Sequence, residues 1–302
     1  MAAVRVLDSE MFYVDTPGAG VPLVFLHGNP TSSYLWRRVL PLVTEQLASG
    51  SARCLAPDLI GMGQSGKPPV EYRFADHARY LDAWFDALGL DDVVLIGHDW
   101  GGALAFDWAR RHPGRARGVA FLETIVKPMS WEEFPEGARD AFAAFRTPGT
   151  GEALVLDQNI FIEQALRATT MTGLSDEDLD VYRAPYPTRE SRLPLLAWPR
   201  SLPLGGEPAD MVAIVRAYDE WLAATPGVPK LLLAFDPGPG TMISPELAAW
   251  CQANIAGLEV AHCGHAGHHA PEDQPAAIAE AITAWAGKHQ LLAAPAERAG
   301  SE

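Results

Sequence analysis

Val93-Val94-Leu95-Ile96-Gly97-His98-Asp99-Trp100-Gly101-Gly102 runs from four apolar residues into a polar turn bracketed by glycines, and Ala103 to Arg111 then carries helical periodicity. A short apolar run broken by Gly reads as a buried strand, and glycines on both sides of the turn let strand and helix approach closely. This is the layout of a nucleophile elbow, which holds its central side chain in a strained turn above the sheet edge. The central residue is Asp99, not Ser. An aspartate is ionised at neutral pH and attacks carbon without a base to deprotonate it. The competing reading is an Asp that merely caps the following helix.

The order strand, turn, helix recurs on both sides of the elbow. Phe12 to Val14, Leu23 to Leu26, Arg53 to Ala56 and Val119 to Leu122 are further strand candidates, most of them closed by a Gly, Pro or Asp. The pattern predicts an α/β fold whose mostly parallel sheet is buried on both faces by crossover helices. From Lys127 to about Asp210 the alternation gives way to aromatics and prolines, among them Trp131, Phe134, Phe142, Phe145, Phe161 and Trp198. That stretch reads as a mostly helical insertion. Strands are expected again at Lys230 to Phe235 and Leu258 to His262, and helices at Ser244 to Asn254 and Gln274 to Ala286. The small, polar tail from about Ala293 is expected to fray.

The 302 residues are 48% hydrophobic and 20% charged, which excludes intrinsic disorder for most of the chain. Lys and Arg number 23 against 38 Asp and Glu, a net charge of −15 that repels phosphate backbones and anionic headgroups. Nucleic acid and membrane are therefore not expected partners. Cys54, Cys251 and Cys263 are too few and too scattered for a disulfide framework and fit reduced thiols in a cytoplasmic protein. Met1 to Asp15 lacks the basic start and unbroken apolar core of a signal peptide, and no run of the chain is long enough to span a bilayer.

A carboxylate nucleophile forms an ester that water must cleave, so a histidine base and an acid to orient it are required. Candidates for the base are His262, His265, His268 and His269 in Ala261 to Asp273, taken as a loop between the last strand and the last helix. His268, just before the residues that open that helix, is favoured. The cluster matches no standard zinc spacing, so no metal is expected. The acid is Glu123, after Val119 to Leu122, or Asp236, after Leu231 to Phe235. Asp236 can equally start the turn Pro237-Gly238-Pro239-Gly240.

Leu26-His27-Gly28-Asn29-Pro30 follows another strand, and in this topology its loop lies beside the elbow. The Asn29 amide and the Trp100 indole are neutral N–H donors suited to solvating a departing halide.

The chain resembles the haloalkane dehalogenases of the α/β-hydrolase superfamily. The likeness rests on His27-Gly28-Asn29-Pro30, Pro57 to Pro68, Gly97-His98-Asp99-Trp100-Gly101, Leu122-Glu123 and Asp157 to Glu163, and covers about Val4 to Lys288. It implies a main domain of residues 1–126 and 211–302 and a helical lid at 127–210. It implies Asp99 as nucleophile, His268 as base and Glu123 as acid in the branch most resembled, with Asp236 taking that place in another branch. Asn29 and Trp100 are implied to bind halide through their side chains, and their backbone N–H groups to hold the oxyanion. Phe134, Phe142, Phe145, Phe161 and Ala165 are expected to line a pocket for a small apolar halogenated substrate. No cofactor is expected, and the protein is expected to be a monomer or weak homo-oligomer. The rival activities are an epoxide hydrolase, which would need two of Tyr182, Tyr186 and Tyr218 in the lid, and a coelenterazine-using luciferase.

Overall fold

The computed structural model describes residues 2–47 and 53–293, so the tail beyond Ala293 lies outside the described residues. Its eight strands are β1 (Ala2–Val6), β2 (Ser9–Asp15), β3 (Leu23–Leu26), β4 (Cys54–Pro57), β5 (Val93–His98), β6 (Ala116–Leu122), β7 (Lys230–Pro237) and β8 (Leu258–Ala266). They form one sheet in the order β1-β2-β4-β3-β5-β6-β7-β8. The β1/β2 and β2/β4 pairs are antiparallel, and the remaining pairs are parallel.

The alternation of side chains along each strand builds two cores, one on each face. In β5, Val93 and Leu95 join Leu81 and Trp84 of α2 (Phe74–Ala87) beside Phe106 of α3 (Trp100–Arg111). Val94 and Ile96 face Val39 and Val43 of the helix Val39–Gln46 and Ile278 and Ile282 of the helix Pro275–Lys288. Each such fully buried aliphatic side chain stabilises the fold by roughly 1.5–3 kcal/mol.

Between β6 and β7 the chain is helical. Glu136–Arg146 forms α4, and Glu152–Asp157 and Phe161–Ala165 are π-helical turns. Three further helices follow, α5 (Leu166–Ala168), α6 (Asp176–Arg183) and α7 (Leu193–Ser201). The helix Ala209–Ala224 then packs against α3 and leads back to the sheet.

Three features differ from expectation. β1 was not foreseen; it is a short antiparallel edge with only Val6 buried. β7 runs two residues further, through Pro237, so Asp236 is a strand residue rather than the start of a turn. β8 runs on past the expected end at His262 through Ala266, so His265 belongs to a strand rather than to the expected loop. The cause is a bulge: Ala234 pairs with His262 and Asp236 with His265, so β8 carries one extra residue there. Gly264, which reads as a turn former, absorbs that residue at φ +85° inside the strand. Among the described residues, no helix is long and apolar enough to cross a membrane.

Candidate active site

Asp99 sits between β5 and α3 at φ +52°, ψ −127°, a strained conformation for a residue with a Cβ. The turn closes only because its neighbours lack side chains. A Cβ on Gly97 would fall 2.4 Å from Gly102 Cα, and one on Gly101 would fall 2.1 Å from the Leu26 carbonyl oxygen. The Asp99 side chain makes no capping bond to α3, which overturns the helix-cap reading. Its Oδ1 instead accepts the backbone N–H of Asn29 at 2.7 Å. Thr124 Oγ1 donates to the Asp99 carbonyl at 2.5 Å and braces the turn from the β6 side.

The loop that brings Asn29 here is itself anchored. His27 Nε2 accepts the Leu59 N–H at 2.9 Å, a role open to a neutral ring, and burial holds its pKa below the usual value.

Glu123 follows β6 at φ +46° and is buried. Its carboxylate accepts the backbone N–H groups of Met242 at 2.6 Å and Ile243 at 3.3 Å, which satisfies the charge inside the protein. His268 stands between the two acids: Nδ1 is 3.4 Å from Glu123 Oε2, and Nε2 is 3.6 Å from Asp99 Oδ2. Burial alone pushes the pKa of His268 down, but bonding to Asp99 and Glu123 outweighs it and holds it at about 9. His98 fixes the backbone of His268, its Nε2 donating to the His268 carbonyl at 2.7 Å. Burial drives His98 down to about 3, so that ring is neutral.

The two candidate acids are thus separated. Glu123 faces His268, whereas Asp236 is exposed and holds His262 Nε2 at 3.1 Å. His265 Nε2 lies 3.1 Å from the Pro237 carbonyl, also away from the elbow.

A cavity of 590 Å³ opens above Asp99 and brings together Asn29, Asp99, Trp100 and His268 with Phe134, Phe142, Phe145, Phe161 and Ala165. The π turn Phe161–Ala165 supplies two of these walls. Trp100 is stacked on Trp198 with centroids 4.7 Å apart, and Trp198 on His77 at 4.1 Å, so the indole beside Asp99 is held by two further rings. A larger groove of 1120 Å³ near Tyr34 and Val181 is lined by no histidine. Among the described residues, no group of three or more His, Cys, Asp or Glu is arranged to hold a metal ion.

The helical segment is tied by charge to Glu272, four residues after His268. Arg37 reaches Asp178 of α6 at 2.7 Å and Glu272 at 2.5 Å, and Tyr182 donates to Glu272 at 2.6 Å. Asp273 accepts the N–H groups of Thr172 at 2.8 Å and Gly267 at 2.9 Å. Thr124, His98 and the Met242 amide escaped the sequence reading. The first two adjoin Glu123 and Asp99 and could have been suspected; a backbone amide leaves no trace in residue type.

The α/β hydrolase fold family matches residues 21–198. A haloalkane dehalogenase of Mesorhizobium japonicum is 47% identical over 284 residues, covering 93% of this chain and 89% of its own. One from Bradyrhizobium diazoefficiens is 44% identical, covering 93% and 92%. The crystal structure of haloalkane dehalogenase DbeA from Bradyrhizobium elkani superposes with a TM-score of 0.89 at 45% identity, over 97% of this chain and 99% of that one. With likeness of this extent in both sequence and fold, the chain belongs to the haloalkane dehalogenases of the α/β hydrolase fold.

Proposed function

We propose that the protein hydrolyses carbon–halogen bonds of small haloalkanes through an alkyl ester on Asp99. The observation that carries this reading is the Asp99 carboxylate held by the Asn29 N–H at 2.7 Å, facing a histidine, under an apolar cavity. Oδ2, on the side facing His268, attacks the saturated carbon in line, and the halide departs with the bonding pair. The Asn29 and Trp100 side chains, both on the cavity wall, solvate that anion.

Alkylation removes the charge on Asp99 and with it one of the two carboxylates that raise the pKa of His268. The imidazole then loses its proton more readily and serves as base at the step that needs one. It takes a proton from water, hydroxide adds to Cγ of the ester, and the negative charge on Oδ1 is met by the Asn29 N–H. Collapse expels the alcohol with the original Oδ2, and Asp99 keeps the oxygen of water. The products are alcohol, halide and a proton, and Glu123 orients the ring throughout.

Residues 127–210 act in this reading as the lid of a main domain made of 1–126 and 211–302, its aromatic wall keeping bulk water from the ester. The buried free thiols Cys54, Cys251 and Cys263 suit a cytoplasmic protein, acting as a monomer or weak homo-oligomer. Epoxide opening is not favoured, because none of Tyr182, Tyr186 and Tyr218 lines the cavity. Tyr182 is bonded to Glu272 and Tyr218 to the Ile125 carbonyl.

The test is a single turnover with a bromoalkane in heavy-oxygen water. Bromide release with the heavy isotope incorporated into Asp99 is the expected result. Bromide release by Asp99→Ala at the native rate would overturn the assignment.

A further inference from the structure

The turn that presents His268 is held residue by residue, each time by a different segment. The His268 N–H donates to the Pro239 carbonyl at 3.0 Å, and its carbonyl accepts from His98 Nε2 at 2.7 Å. The His269 N–H donates to the Thr169 carbonyl of the helical segment at 3.2 Å. Just before them the Gly267 N–H donates to Oδ2 of Asp273 at 2.9 Å. A Cβ on Gly267 would fall 2.4 Å from the Thr169 carbonyl oxygen and 3.0 Å from that of Pro239, so the segments close tightly on this glycine.

Asp273 does more than hold that turn. It is 8% exposed, and its oxygens accept from two directions. Oδ2 takes the Met171 N–H at 3.2 Å as well as that of Gly267, while Oδ1 takes the Thr172 N–H at 2.8 Å and the Thr172 hydroxyl at 3.0 Å. Met171 and Thr172 come just after Ala168 and Thr169, which line the cavity. One carboxyl group therefore ties a wall of the cavity to the residue before His268. Donors in a buried site cannot cheaply lose their acceptor, so these bonds keep the two segments in a fixed relation.

We propose that Asp273 is a positioning residue for ester hydrolysis. Through Gly267 it fixes His268 against Glu123 and Asp99, and through Met171 and Thr172 it makes that position depend on how the helical segment docks. The inference rests on the dehalogenase reading and adds to it a residue that lines no part of the cavity. Its effect falls on one step. Alkylation of Asp99 uses no base, whereas hydrolysis needs the His268 ring in place. That ring already stands 3.4 Å from Glu123 and 3.6 Å from Asp99, so a shift of the turn opens contacts that have no slack.

The test follows both steps with bromobutane, recording bromide release and, by mass spectrometry of quenched samples, the alkyl ester on Asp99. In Asp273→Asn, whichever way the amide turns, the donors on one side meet an NH2 in place of an acceptor. Ester hydrolysis is expected to slow roughly tenfold or more while alkylation changes far less, so a bromide burst precedes slow turnover and the ester accumulates. Loss of folded protein alone would shrink the burst and leave the ratio of the two rates native. Thr172→Val, which removes the hydroxyl donor and keeps the N–H, should shift the ratio in the same direction by a smaller factor, and Thr172→Ser should restore it. This pair serves if Asp273→Asn does not fold. A native ratio in Asp273→Asn, equal slowing of both steps, or a native ratio in Thr172→Val where the first variant cannot be purified overturns the proposal, while bromide release by the native protein leaves the dehalogenase reading standing. No bromide from the native protein overturns both.

Discussion

The backbone N–H of Asn29 and Oδ1 of Asp99 lie 2.7 Å apart, although the residues are separated by 70 positions in sequence. This contact distinguishes the two carboxylate oxygens before any substrate arrives. Oδ1 is committed to a donor and, in the proposed reaction, becomes the ester carbonyl; Oδ2 faces His268. In the proposed reaction one N–H orients the nucleophile in the first step and stabilises the oxyanion in the second.

Gly28 makes that approach possible, since a Cβ there would fall 2.0 Å from Asp99 Oδ1. Gly28→Ala must push the carboxylate or the Asn29 loop aside. A displacement of that size at a reacting atom costs roughly 100-fold in kcat/KM. Steady-state bromide release alongside a thermal melt checks this, and a folded Gly28→Ala protein with native kinetics would contradict the contact.

Glu123→Gln and Asp236→Asn should behave differently. Glu123 touches His268, so its loss should slow ester hydrolysis by roughly 1,000- to 10,000-fold, as when the orienting acid of a triad is neutralised. Alkylation of Asp99 needs no base and should persist, so the quenched variant should gain the mass of the alkyl group. Asp236 is exposed and paired with His262, so its variant should turn over normally. Equal ester accumulation in both, read by mass spectrometry, would remove Glu123 from its role.

Trp198 carries the stack behind Trp100 and donates its Nε1–H to Met62 Sδ at 3.3 Å. Trp198→Phe keeps a ring but loses area and that donor. We expect it to lower stability by roughly 1–3 kcal/mol and to raise KM severalfold as the Trp100 indole loosens. Unchanged KM together with unchanged melting would show that the stack does not position Trp100.

The elbow was legible because its requirements are local: an apolar run, a turn and glycines fixed by contact across that turn. The parallel sheet was legible for the same reason, since Leu23–Leu26 and the first four residues of Val93–His98, buried on both faces, read as uninterrupted apolar runs. The choice between Glu123 and Asp236 was not, because both follow apolar strands, and only the register of β7 against β8 sends Asp236 to solvent. The Met242 and Ile243 amides that hold Glu123 come from more than a hundred residues away. The 2.8 Å contact of Thr169 Oγ1 with His269 Nδ1 depends on how the helical segment docks, which no local pattern specifies.

The pH dependence of stability offers a test of the charge arrangement around His268. Its folded pKa is raised from 6.5 to about 9. The imidazolium therefore contributes stability that is fully present below about pH 6.5 and is lost as pH rises through about 9. Lys67 and Lys230, both lowered to about 8 by burial, titrate nearby with the opposite sign. They are common to the native protein and His268→Gln, so they cancel in the difference between the two. The melting-temperature advantage of the native protein over His268→Gln should be largest at about pH 6.5 and shrink steadily toward pH 10. A gap that stays constant over that range would mean that Asp99 and Glu123 do not hold the proton on His268, and the self-adjusting base proposed for ester hydrolysis would lose its physical footing.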